Sequence, residues 1–275
     1  MIHHPLLSRQ FVGSIFYGIL SSPWELNVLS LLIDLVFGFA MGALGGFFGI
    51  GGGLIAIPIM TILFDQTQTL AQGTALVMMA PNLILAFLRY QQRTPLNLSL
   101  VLPLAGAGLV CAGLGAKIAT SMSPQVIQLG FAILMIFLAG LNLARARLVA
   151  VSKALTPSTS PRLGALGGAC GALGGFFGVG ASVVAVPVLT SVFGFTQVAA
   201  QGMALSLALP SSMITLVTYG LGGHVDWPMG LAMALGGVLS VSWGVKWAYR
   251  APERVLCGLF SLFLLGCSAL LILRH

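Results

Sequence analysis

The chain has 275 residues, 58% hydrophobic and 6% charged, with a mean hydropathy of +1.05. So little charge cannot cover a soluble domain, and long unbroken apolar runs exclude a β-barrel, whose strands alternate. The net charge of +7 fits the basic cytoplasmic loops of a helical membrane protein and needs no nucleic-acid partner.

Residues 1–26 form a lead-in, in which Arg9 precedes the short apolar run 11–20. No small-residue cleavage site follows, so an interfacial helix is expected and not a signal peptide. A first transmembrane repeat is predicted over residues 27–144. It opens with an apolar run over 27–64, closed by the polar turn Asp65-Gln-Thr-Gln-Thr. Spans are predicted over 70–89, 98–120 and 126–144. Residues 145–162 carry four basic residues together with Ser, Thr and Pro, and read as a cytoplasmic linker. A second repeat over 163–275 begins with the run 163–193 and adds spans at 198–219, 227–249 and 255–273. The cysteines Cys111, Cys170, Cys257 and Cys267 lie in apolar runs at no metal-ligand spacing and read as packed thiols.

The two halves are copies. Residues 42–58, GALGGFFGIGGGLIAIP, align without a gap with residues 171–187, GALGGFFGVGASVVAVP, at an offset of 129 and with 11 of 17 positions identical. At the same offset Ala71-Gln-Gly-Thr-Ala-Leu matches Ala200-Gln-Gly-Met-Ala-Leu, Pro81 matches Pro210, Tyr90 matches Tyr219, and Lys117 matches Lys246. The fold class is therefore all-α, integral to the membrane, with about eight apolar segments. Each repeat is a glycine-broken half-helix pair followed by three transmembrane helices.

Each glycine disfavours a helix interior by about 1 kcal/mol, so the cluster Gly49-Ile-Gly-Gly-Gly is expected to unwind its run. In the second copy about 11 residues remain on each side, or ~16 Å, half a hydrocarbon core. Such arms allow a broken crossing with parallel repeats or a re-entrant hairpin with inverted repeats. The distribution of basic residues does not separate the two, and the half-depth arms favour the hairpin. Gly42, Gly45, Gly46, Gly171, Gly174 and Gly175 are read as helix-packing positions. Gly49, Gly51, Gly52 and Gly53, with Gly178, Gly180 and Ser182 in the second copy, are read as anion-binding. There the second arm begins, and its free N–H groups and positive dipole end attract an anion. Glycine also lets a ligand approach the backbone.

Further candidate ligands lie on the next span of each half. Gln72 and Gln201 are equivalent amides that can hold an anion without trapping it; caps or helix contacts are the alternative. Thr74, Asn82, Ser206, Ser211 and Ser212 line the same spans, where they would serve either the ligand or carbonyls freed by proline. Asp34 aligns with Leu163, next to Arg162, which places it towards the interface and away from the centre. Lys117 and Lys246, near span ends, are expected to snorkel. His224 and Asp226 sit in a loop beside Trp227, with no nucleophile or metal-ligand cluster at hand, so no catalysis, metal or cofactor is expected.

These residues resemble the sulfite exporter TauE/SafE family of membrane permeases. The resemblance is carried by Gly49–Gly53 with Pro58, by the copy at Gly178–Ser182 with Pro187, by the heads at Ala71 and Ala200, and by Gly-x-Val-Asp-Trp at Gly223–Trp227. It implies a multi-pass protein of the bacterial inner membrane that moves a small inorganic or organic sulfur anion such as sulfite, thiosulfate or an organosulfonate. A passive anion channel is the alternative, and a membrane enzyme lacks the residues it would need. The implied partners are the anion and the lipid bilayer, with homo-oligomer formation left open. The second copy departs from the first at Ala181-Ser182, where the first has Gly52-Gly53.

Overall fold

A computed structural model describes residues 28–48, 51–93, 98–148, 160–191, 193, 195, 197–248 and 253–273. The lead-in, most of the linker and Gly49 lie outside the described residues. Within them the chain forms ten helices: α1 (Val28–Phe48), α2 (Gly53–Leu63), α3 (Gln68–Arg93), α4 (Leu98–Thr120), α5 (Pro124–Leu148), α6 (Ser160–Phe177), α7 (Ser182–Ser191), α8 (Gln197–Leu221), α9 (Trp227–Ala248) and α10 (Glu253–Leu273). Six of them are long and apolar enough to cross a membrane, namely α1, α3, α4, α5, α8 and α9. Helices suit this setting because each satisfies its own backbone hydrogen bonds where no water can. The protein is an all-helical, multi-pass membrane protein.

Neighbouring directions follow from which residues face each other. Gly38 abuts Met233, Gly42 abuts Gly237 and Gly46 abuts Val241, so α1 and α9 run the same way. Gly167 abuts Leu104, Gly171 abuts Gly108 and Gly175 abuts Ala112, so α6 and α4 do too. Gly230 meets Val77 and Gly237 meets Asn82, which aligns α3 with α9. Leu207 reaches Gly108 and Ile214 reaches Gly113, which aligns α8 with α4. Gln128 on α5 donates to the Leu271 carbonyl at 3.3 Å and Ser261 on α10 donates to Ala139 at 3.3 Å, so these two are antiparallel. The first arm of each half thus packs on the other half. Tyr219 near the end of α8 bonds Gln72 near the start of α3, so α1 and α3 point opposite to α6 and α8.

Each broken run is a hairpin. A Cβ built on Gly45 would lie 2.5 Å from Gly52 Cα, so the chain has turned back beside α1. Lower down, the rings of Phe37 and Phe64 are 5.4 Å apart, so α2 returns along α1. In the second half a Cβ on Gly174 would lie 2.6 Å from the Ala181 nitrogen. The hairpin tips sit level with the middle of the spanning helices. Gly51 faces Met79 and Leu83 of α3, and Gly180 faces Ser212 and Ala208 of α8.

The arms correct one expectation. α1 has 21 residues and α6 has 18, against 11 and 10 for α2 and α7, so the first arms exceed half-depth. The outer glycines stay helical because they give close contact with a neighbouring backbone, which offsets about 1 kcal/mol of helix propensity each. Their duties divide: Gly42, Gly46, Gly171 and Gly175 seat the arm on the other half, whereas Gly45 and Gly174 face their own hairpin's tip. The second arms are buried almost all round; α2 buries Leu54, Ile55, Ala56, Ile57 and Met60. Their prolines are accommodated alike. Thr61 donates to the carbonyls of Ile57 and Pro58 at 3.2 and 2.9 Å, and Thr190 donates to those of Val186 and Pro187 at 2.9 and 3.0 Å.

Candidate functional site between the hairpin tips

The tips need glycine for conformation as well as space. Gly51, Gly52, Gly178 and Gly180 have φ of 73, 87, 63 and 74°, in the left-handed region that a Cβ disfavours. Gly52 is the N-cap of α2, with φ 87° and ψ −16°, and no side chain caps it. Its carbonyl accepts from the Ile55 and Ala56 N–H groups at 3.2 and 2.9 Å, and the Ala181 carbonyl accepts from Ala185 N–H at 3.1 Å. The N–H groups of the first helical turn lie ahead of these bonds and point out of the helix at its positive end. Two helix N-termini therefore lie level with the middle of the spanning helices, each with Met79 close by.

Side chains from α3 and α8 close the space between them. Gln72 and Ser182 have no exposed surface and Ser212 is 2% exposed. Gln72 reaches across to the second tip, where a Cβ on Gly178 would lie 2.8 Å from Gln72 Cβ. Tyr219 Oη donates to Gln72 Oε1 at 2.8 Å and lies 3.1 Å from the Phe176 carbonyl. This bond sets the amide so that Gln72 Nε2 has no hydrogen-bond partner among the described residues. Ser182 Oγ and Ser212 Oγ also have none. Ser212 Oγ would lie 3.2 Å from a Cβ on Gly180. Burying a polar group without a partner costs about 1–3 kcal/mol, so three such groups near one tip are a donor set in want of an acceptor. The first tip is lined differently. Gly51 faces Met79 and Leu83, Gly52 faces Met78, and Gly53 lies against the Met79 sulfur.

Other residues predicted from sequence are placed apart from this set. Thr74 Oγ1 accepts from the Asp226 N–H at 3.0 Å, tying α3 to the loop before α9. Ser206 donates to its own helix at Met203, 2.7 Å, and Ser211 to Leu207 at 2.8 Å. Asn82 is buried with both amide atoms unpartnered among the described residues, and it lies against Gly237 of α9. Gln201 is buried on α8. Asp34 is half-buried on α1, eleven residues or about 16 Å of helix before Gly45. Lys117 and Lys246 are exposed in the last turns of α4 and α9. Asp226 caps α9, accepting from Met229 N–H at 3.2 Å through Oδ1 and from Gly230 N–H at 2.9 Å through its carbonyl.

Three contributors escaped the sequence reading: Met78, Met79 and Tyr219. The repeat places Met79 opposite Ala208 and Tyr219 opposite Tyr90. Nothing local marks the bond between Tyr219 and Gln72, which are 147 residues apart.

Comparison with known proteins agrees with this architecture. The chain is 24% identical over 268 residues to a Bacillus subtilis protein, YunE, described as a "probable membrane transporter protein", with 87% of this chain and 97% of that one covered. A Xylella fastidiosa protein of the same description is 26% identical over 260 residues, covering 90% and 97%. The Methanocaldococcus jannaschii protein MJ0441, also so described, is 26% identical over 236 residues, covering 80% and 86%. The family model described as sulfite exporter TauE/SafE matches residues 35–271. With buried hairpins at mid-depth and this match across nearly its whole length, the chain belongs to the TauE/SafE sulfite exporter family of membrane transporters.

Proposed function

We propose that the chain carries a small sulfur-containing anion, such as sulfite, thiosulfate or an organosulfonate, across the bacterial inner membrane. The anion binds near mid-membrane, at the tips of the two glycine hairpins. One observation carries this reading: Gln72 Nε2, Ser182 Oγ and Ser212 Oγ are buried donors with no partner among the described residues, near a hairpin tip where a helix also begins. An oxyanion offers several acceptor oxygens and a negative charge, which suit those donors and the helix dipole. Uncharged donors hold such an ion without the deep trap that a buried Lys or Arg would make. The opposed directions of α1 and α3 relative to α6 and α8 support inverted repeats, 27–144 and 163–275, joined by the linker 145–162. That arrangement suits alternating access around a fixed central site.

Purified protein in proteoliposomes is expected to take up labelled sulfite, thiosulfate or methanesulfonate in a saturable manner. Absence of uptake for all three would remove the sulfur-anion reading. Gln72→Leu keeps the bulk of the side chain and removes the donor. Its apparent affinity for the transported anion is expected to fall about tenfold, equivalent to ~1.4 kcal/mol, measured as the half-saturating concentration for uptake. An unchanged value would take Gln72 out of the site.

A further inference from the structure

We propose that Met79 is the partition between the two hairpin tips and sets the largest anion that the central site admits. This inference rests on the anion site described above.

Met79 lies near the middle of α3 and has no exposed surface. Among the nearest neighbours of the described tip glycines, it is the side chain common to both tips. A Cβ on Gly180 would lie 3.3 Å from Met79 Cε, and one on Gly51 would lie 3.5 Å from the same atom. A Cβ on Gly53 would overlap the Met79 sulfur. The thioether therefore stands between the N-terminus of α2 and the second tip, with its donors Ser182 and Ser212. Its neighbour provides the contrast: Met78 Cε is 3.3 Å from a Cβ on Gly52, and no glycine of the second tip has it among its nearest atoms.

The duplication sharpens the assignment. The position equivalent to Met79 is Ala208, whose Cβ lies 4.0 Å from a Cβ on Gly180. One repeat supplies a long side chain across the centre and the other supplies almost none. Two methionines would fill the space; two alanines would leave the tips facing each other openly. Methionine is unbranched, with three rotatable bonds, so its end can swing while the backbone of α3 stays in place. In one position it separates the half-sites, and when displaced it joins them. The length of the side chain then fixes the volume that an anion can occupy. A methionine that merely filled the core would affect stability when shortened and would leave anion preference unchanged.

The test is uptake of labelled sulfite into proteoliposomes in competition with methane-, ethane-, butane- and benzenesulfonate. The parent, Met79→Ala, Met79→Val and Met135→Ala are compared. The parent is expected to take up sulfite and to be inhibited progressively less by the larger sulfonates. Met79→Ala is expected to bind butane- and benzenesulfonate at least tenfold better relative to methanesulfonate. Met79→Val is expected to fall between, and Met135→Ala, at a buried methionine of α5 placed at neither tip, to keep the parental order. If the alanine variant does not give a monodisperse protein, the valine variant decides. A parental size order in every folded Met79 variant, with sulfite uptake intact, overturns the role of Met79 alone. Failure of the parent to take up any of these anions overturns the central site instead.

Discussion

Gly52→Ala is expected to reduce anion uptake by more than tenfold at equal amounts of reconstituted protein. Gly52 has φ 87°, where an L-residue costs roughly 1–2 kcal/mol. The added Cβ would also lie 2.7 Å from the Met41 carbonyl oxygen. That oxygen belongs to the backbone of α1 and has no rotamer to change. The strain is relieved only if the hairpin opens, and opening moves the N-terminus of α2 away from the centre. Gly180→Ala provides the comparison. Its φ of 74° carries a similar penalty, but its Cβ would meet Ser212 Oγ at 3.2 Å and Met79 Cε at 3.3 Å, both movable ends. A milder, few-fold loss is expected there. Initial uptake rates for the two variants check this order, and a parental rate for Gly52→Ala would show that hairpin shape does not govern transport.

The second large effect is on assembly. Gly171→Leu is expected to destabilise the protein by upward of about 3 kcal/mol, the top of the usual range for overpacking. A Cβ on Gly171 would lie 2.6 Å from Gly108 Cα and 2.8 Å from Gly108 C, because α4 and α6 run backbone against backbone at this point. Little hydrophobic driving force acts between helices in lipid, so such close contacts hold the pair together. A leucine must push the arm away from the other half of the molecule. Gly140→Leu is the control, since no described residue lies within 4 Å of a Cβ there; a change within about 0.5 kcal/mol is expected. Thermal melts in detergent with size-exclusion profiles measure both. Equal behaviour of the two variants would contradict the contact between the halves.

Much of the fold was legible because membrane helices announce themselves by apolar length alone. The predicted span 98–120 coincides with α4, and the span 227–249 with α9, within the usual uncertainty of helix ends. The glycine clusters were legible as breaks because adjacent glycines cannot all serve packing. The length of the first arms was not. Gly42, Gly45 and Gly46 were legible as packing positions, but what they pack against lies almost two hundred positions away or across the hairpin turn, so how far the helix continues through them was not. For the same reason Thr74 was read as a ligand candidate; its partner, the Asp226 N–H, is 152 residues distant. The amide of Gln72 was legible as a polar group in an apolar span. That Tyr219 turns it, leaving Nε2 without a partner among the described residues, required the antiparallel pairing of α3 with α8.

The most direct measurement of the central claim is the paired effect of Ser182→Ala/Ser212→Ala on sulfite uptake and on stability. Both hydroxyls are buried without a partner among the described residues. Removing them deletes two costly groups, so the thermal midpoint is expected to stay level or rise. The half-saturating concentration for uptake is expected to increase by tenfold or more. Loss of affinity together with retained stability is the signature of groups kept for a ligand. Undiminished uptake across the whole concentration range would contradict a mid-membrane anion site at the hairpin tips.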